Sequence, residues 1–109
     1  MFDGRDIDGP VYRVVQRCPA VLEDFLSYEV LGRRYDRRDF LRGSGISMTV
    51  SKDRAVEVAR RFGLGTATAT LDLQVDGVVW ATSGRPGHIT VWATPELLLA
   101  RVLECESHD

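Results

Sequence analysis

A chain of 109 residues, 44% hydrophobic and 28% charged, suits one domain with its own core. A net charge of −2 supplies no global field for nucleic acid or an anionic membrane. The longest apolar run, Leu97-Leu98-Leu99-Ala100, falls far short of the ~20 residues that span a bilayer, so a soluble protein is expected.

Residues 1–10 are polar, carry Gly4, Gly9 and Pro10, and read as a poorly ordered lead-in without the basic-then-apolar order of a secretory signal. Val11-Tyr12-Arg13-Val14-Val15 is a β-branched and aromatic run suited to a strand. Pro19 marks a helix start, Leu22, Phe25 and Leu26 follow at helical spacing, and Gly32 ends that helix. Residues 33–44 have no period and are expected to form an irregular, mobile segment ending at Gly43-Ser44-Gly45.

Ile46-Ser47-Met48-Thr49-Val50 reads as a short strand. Ser51 is the N-cap of the next helix, Ala55, Val58, Ala59 and Phe62 form its buried stripe, and Gly63 stops it. Arg54, Glu57, Arg60 and Arg61 are left to water. Leu71, Leu73 and Val75 then alternate with Asp72 and Gln74, and Asp76-Gly77 leads into Val78-Val79-Trp80-Ala81. An Asp-Gly pair between such runs predicts a two-residue hairpin turn. His88-Ile89-Thr90-Val91-Trp92 is a further strand. Thr94 caps a last helix with Pro95 in its first turn, buried through Leu97, Leu98, Ala100 and Val102, and residues 105–109 form a polar tail. The expected architecture is α+β: a single domain over residues 11–104, with a mixed or largely antiparallel sheet of about five strands and three helices.

Cys18 and Cys105 stand near opposite ends of the chain and could pair only if those ends met. They are expected to be free thiols, as in the cytoplasm. Two histidines and no CxxC spacing leave no reason to expect a bound metal. Of the fourteen basic residues only Lys52 is lysine, which reflects either a GC-rich coding sequence or a need for planar, bidentate anion binding.

Two segments could carry chemistry. Arg33, Arg34, Arg37, Arg38 and Arg42, with Tyr35 and Phe40, could hold a phosphate, a nucleotide or single-stranded nucleic acid. They could also be the partner-binding surface of a non-catalytic interaction module, such as a small regulator, phage or immunity-type protein. They could equally form a solvated loop paired with the interleaved Asp36 and Asp39, and that interleaving makes a nucleic-acid partner less expected. The second segment is Gly84-Arg85-Pro86-Gly87-His88, where glycines permit close approach and Arg85 and His88 supply charge and a titratable group; an ordinary loop reads the same way. No nucleophile triad and no glycine-rich phosphate loop can be assembled.

In their order along the chain, these pieces resemble a minimal ADP-ribosyltransferase domain. Arg13 in Tyr12-Arg13-Val14 matches the family's first-strand arginine or histidine, and Gly45-Ile46-Ser47-Met48-Thr49 before Ser51-Lys52-Asp53-Arg54-Ala55 matches its serine-bearing strand and helix. Ala67-Thr68-Ala69-Thr70-Leu71 looks like the strand that follows, and Gly87-His88-Ile89-Thr90 places His88 where the family has a catalytic glutamate. The chain is also similar to small bacterial proteins sharing the Tyr-Arg start and the Gly-His-x-Thr end. The resemblance implies that Arg13, Ser47, Thr49 and Arg85 bind NAD or a related nucleotide, with NAD as substrate or ligand and no resident cofactor. A neutral imidazole at His88 carries no negative charge for an oxocarbenium-like transition state, so the chemistry implied is weak or absent.

Overall fold

The fold is taken from a computed structural model, which describes residues 2–27, 44–82 and 85–108. Seven strands form one antiparallel sheet: β1 (Phe2–Asp3), β2 (Val11–Val15), β3 (Ile46–Thr49), β4 (Ala67–Leu71), β5 (Val79–Thr82), β6 (His88–Trp92) and β7 (Val102–Ser107). Their spatial order is β1-β5-β6-β3-β2-β4-β7. Among the described residues two α-helices accompany the sheet, α1 (Lys52–Phe62) and α2 (Pro95–Ala100), with 3-10 turns at Gly4–Asp6 and Leu22–Phe25. The α+β class and the antiparallel sheet agree with the pattern of the sequence; the sheet has two more strands than expected. No helix among the described residues is long and apolar enough to cross a membrane.

The extra strands are the two ends of the chain. The lead-in is tied down rather than loose: Phe2 pairs with Trp80, the Gly4 amide donates to the Val78 carbonyl at 2.8 Å, and Trp80 Nε1 donates to the Asp3 carbonyl at 2.9 Å. Val102 leaves the expected helix to begin β7, which pairs along β4 from Leu71↔Val102 to Ala67↔Ser107. Backbone groups of β4 would otherwise be unpaired on that side, and the C-terminal segment satisfies them.

That pairing explains two further corrections. β4 is held by β2 on one side and β7 on the other, so it cannot pair with β5, which lies between β1 and β6. The Asp76-Gly77 hairpin therefore does not form: Gly77 turns the chain with φ +87°, Asp76 stays at negative φ, and residues 72–78 cross beneath the sheet instead. Leu71, Leu73 and Val78 are still fully buried, so the alternation marked the core correctly and the strand partner wrongly. The second correction is a disulfide between Cys18 and Cys105, with Cα atoms 5.6 Å apart. Register Ala69↔Cys105 sets Cys105 on the core face of the sheet, and the loop after β2 carries Cys18 across to it.

The core lies on one face, where Val11, Val15, Ile46, Met48, Ala67, Ala69, Leu71, Ile89 and Val91 meet Ile7, Phe25, Leu73, Val78 and Leu98. The helix expected from Pro19 is, over its described part, only the 3-10 turn Leu22–Phe25. Leu26 is extended, and the Asp24 carbonyl accepts from Arg13 Nε at 3.2 Å instead of serving a helical ladder. The remaining residues of that helix and the segment 33–43 lie outside the described residues. α2 keeps its expected start, Thr94 accepting from the Leu97 amide at 3.2 Å with Pro95 behind it; Leu98 is buried and Ala100 is exposed.

The other face carries α1, packed on β2, β3 and β4. Ser51 caps it by accepting from the Arg54 amide, and Gly63 ends it in the left-handed region at φ +61°. Alanine side chains of β4 point into the core while Thr68 and Thr70 lie buried on the α1 side. Small residues on both surfaces, Ala55 and Ala59 against these threonines, let the helix sit close to the sheet. Phe62, expected in the buried stripe, is instead 62% exposed at the end of the helix.

Phe62→Ala is accordingly expected to change unfolding free energy by no more than about 0.5 kcal/mol. Leu98→Ala should cost about 2–5 kcal/mol, both read from denaturant midpoints. A second expectation concerns Lys52, which donates through Nζ to Glu106 Oε2 and ties α1 to β7. The hydrogen bond and then the charge of Lys52 lower the Glu106 pKa, and the same hydrogen bond raises that of Lys52. Stabilisation from Glu106 is therefore present above the ordinary carboxylate range and lost as pH falls through its lowered value; that from Lys52 is lost only as pH rises through its raised one. The difference in urea midpoint between wild type and Glu106→Gln should be largest near pH ~7 and close to zero near pH ~2.

Candidate functional site

The sheet is well laddered everywhere except at one seam. β2 pairs with β4 from Val11↔Leu71 to Val15↔Ala67, and β3 pairs with β6 from Ile46↔Val91 to Thr49↔His88. Between β2 and β3 there is a single bridged position, Tyr12↔Thr49. Continuing that register would set Val14 opposite Ser47, but the strands part. Arg13 fills the opening: its Nη1 donates to the Ser47 carbonyl at 2.9 Å and its Nε to the Asp24 carbonyl. A guanidinium thus stands where ladder hydrogen bonds stop, satisfying a carbonyl that the neighbouring strand leaves.

On the α1 side, the alternation of β-strands aligns Tyr12 and Val14 of β2 with Ser47 and Thr49 of β3 and His88 of β6. These five residues, with Arg13, floor a cavity of about 390 Å³. Its walls are Arg54, Ala55, Val58 and Phe62 of α1, then Leu64, and Arg85 from the loop before β6. Arg85-Pro86-Gly87-His88 is a turn closed by the His88 amide donating to the Arg85 carbonyl at 3.1 Å. Proline at its second position and Gly87 at φ +74° in its third are the chemistry of a type II turn, which sets Arg85 and His88 side by side at the rim. The Val50 amide donates to the Gly87 carbonyl at 2.9 Å and locks the turn to the end of β3.

His88 Nε2 and Ser47 Oγ are hydrogen-bonded to each other. With Nε2 unprotonated, this contact orients the serine proton toward the ring and makes the hydroxyl oxygen a better acceptor or nucleophile; with Nε2 protonated, the ring donates to the hydroxyl. Charge around the cavity is one-sided. Arg13, Arg54 and Arg85 line it, and no aspartate or glutamate does among the described residues. Neither Arg54 nor Arg85 forms an ion pair among the described residues. A neighbouring groove of about 440 Å³ shares Arg13, Val14 and Leu64, but Glu23 and Asp24 line it and offset Arg13 and Arg17. Among the described residues the first cavity has the larger excess of positive charge in its lining. Among the described residues no group of three or more histidine, cysteine, aspartate or glutamate side chains is placed to hold a metal.

Five residues marked in the sequence, Arg13, Ser47, Thr49, Arg85 and His88, therefore line one cavity. Arg33, Arg34, Arg37, Arg38 and Arg42, proposed for partner binding, lie outside the described residues, as does Gly84. The sequence reading missed Tyr12, Arg54 and Phe62. Arg54 did carry a signal, since a cation in the first turn of a helix opposes the helix dipole, but Lys52 in the same turn carries it too and is paired with Glu106.

Comparison of the chain with protein-family models, with curated proteins and with solved structures finds no match.

Gly87→Ala should destabilise by about 1 kcal/mol, because the added Cβ is disfavoured at positive φ. It should also weaken the Ser47–His88 contact, seen as a change in the His88 ring resonances by NMR. Unchanged resonances and stability would mean that the turn does not position His88.

Proposed function

We propose that this chain binds NAD or a related nucleotide in the cavity beneath α1, as an ADP-ribosyltransferase-like domain with weak or absent catalysis. The observation that supports it is the cavity's composition: Arg54 and Arg85 beside an Arg13 that already holds two carbonyls, no carboxylate among the described lining residues, and an apolar and aromatic lining of Tyr12, Val58 and Phe62. Arginine forks suit phosphate oxygens, and an apolar wall suits a base or nicotinamide ring. The volume falls in the ~300–1,000 Å³ range of small-molecule sites. A nucleotide brings both kinds of surface on one molecule; a bare phosphate or a neutral hydrocarbon uses only half of the lining.

Ser47 and Thr49 offer hydroxyls to a ribose, and His88 holds the Ser47 hydroxyl in place. Where the resembled family has a glutamate, an imidazole cannot present a negative charge to the developing oxocarbenium ion. Ground-state binding survives that loss while transition-state stabilisation does not.

Calorimetric titration with NAD and ADP-ribose tests the binding half. Arg85→Ala and Arg54→Ala are each expected to weaken affinity by about 10- to 100-fold, the loss of a charged hydrogen bond. No heat of binding for the wild type at millimolar ligand would overturn the nucleotide reading. Nicotinamide release is expected to be slow or undetectable; brisk release that survives His88→Ala would overturn the catalytic half.

A further inference from the structure

We propose that the Cys18–Cys105 disulfide is a thiol–disulfide exchange site whose reduction by a dithiol loosens the Gln16–Asp24 loop, and with it the Asp24 carbonyl that holds Arg13 Nε beside the cavity. Only its consequence for ligand affinity rests on the nucleotide reading; the coupling between disulfide and Arg13 stands on geometry alone.

The loop leaves the end of β2 and returns at the 3-10 turn, so it begins three residues after Arg13 and ends at the carbonyl that Arg13 binds. Its internal hold is the Asp24 carboxylate, which accepts from the Val21 amide at 2.8 Å and the Gln16 amide at 3.4 Å, both exposed to water. Phe25 anchors the far end in the core. Gln16, Arg17, Pro19, Val21 and Glu23 are exposed, and the apolar burial of the stretch between is that of the half-buried Cys18 and Ala20 against the edge of the core. At its first residue the loop is held by the Gln16 carbonyl, which accepts from the Thr66 amide at 3.2 Å and Thr66 Oγ1 at 2.6 Å, and by Gln16 Nε2, which donates to the Leu64 carbonyl at 3.2 Å. Beyond Gln16 the covalent tie to the sheet is the disulfide to β7.

From the disulfide the chain of contacts is short. Cys105 on β7 holds Cys18; the loop it holds presents the Asp24 carbonyl; that carbonyl takes Arg13 Nε; and Arg13 Nη1 takes the Ser47 carbonyl at the cavity floor. Both cysteines are half-buried, at the border of the core and not within it. β7 is an edge strand, so Cys105 is approached from a side that no further strand covers among the described residues. The reaction needs one dithiol. Its thiolate attacks one sulfur of the pair, forming a mixed disulfide and expelling the other cysteine as thiolate, which takes up a proton. The second thiol of the reductant, deprotonated, displaces the remaining cysteine. Two electrons pass to the protein, two free cysteines result, and the reductant leaves as its own disulfide.

The test compares the full chain, oxidised, with the same chain reduced by dithiothreitol and alkylated. Amide exchange over residues 16–24 is expected to speed up by about tenfold, with residues 67–71 unchanged, and the Arg13 Nε–H resonance to shift or broaden. Affinity for ADP-ribose should fall by about tenfold, as expected if Arg13 is in place roughly a tenth of the time. Cys105→Ser should reproduce the reduced behaviour without reductant. Equal exchange over 16–24 in both states overturns the proposal. So does loss of protection over 67–71 as well, which makes the disulfide a staple of the whole fold, and so does a Cys105→Ser variant indistinguishable from the oxidised wild type. Unchanged ADP-ribose affinity with a released loop overturns the coupling to the site. If the oxidised chain binds no ADP-ribose at all, the nucleotide reading fails, while amide exchange and the Arg13 resonance still decide the latch.

Discussion

The single bridge between β2 and β3, at Tyr12↔Thr49, is the constraint from which the site follows. Two half-sheets, β1-β5-β6-β3 and β2-β4-β7, are each continuously laddered, and at their junction the ladder stops. An interrupted ladder leaves backbone carbonyls that must be satisfied, and the fork of a strand arginine can reach one of them together with a carbonyl of another element. Arg13 therefore joins the half-sheets at the Ser47 carbonyl and holds the loop at the Asp24 carbonyl. Residues on both sides of that opening, Tyr12 and Val14 of β2 and Ser47 and Thr49 of β3, line the cavity.

Around that opening the packing is arranged by size. Alanines and threonines on β4 let α1 and the core each approach one face of the same strand, so β4 is buried on both sides. α1 runs across the sheet until Phe62 passes beyond close packing and becomes part of the cavity wall. Across the cavity, the Arg85–His88 turn depends on Gly87, the one residue type that takes φ +74° without strain. Rigid elements therefore hold both rims, while the Arg13 side of the floor is shared with a loop held by Gln16 hydrogen bonds at its start and by the disulfide at Cys18.

Much of the fold was legible because its signals are local. The limits of β2 and β6, the Ser51 cap and Gly63 stop of α1, and the Thr94-Pro95 start of α2 each depend on residues within one turn or one strand. The Asp76-Gly77 hairpin failed for the opposite reason. Two alternating runs joined by a turn pair locally only when neither has a better partner, and β4 had both its edges taken by strands from the two ends of the chain. The same long-range pairing turned a polar tail into β7 and brought Cys105 to Cys18. Phe62 was misread because helical spacing says which side a residue is on, not whether anything lies opposite it.

The sequence by itself determined the α+β class, the limits of β2 and β6 and the caps of α1 and α2, and among its candidate residues it marked Arg13, Ser47, Thr49, Arg85 and His88, which line one cavity. Side-chain alternation and capping chemistry are properties of neighbouring residues, so they are written in the chain. Only the tertiary structure decided the strand order, the seam beside Tyr12, the disulfide, and the entry of Arg54 and Phe62 into the cavity wall. Those depend on which of several compatible strand edges meet. That choice is made by the sum of burial and backbone hydrogen bonding over the whole chain, and no local stretch contains it.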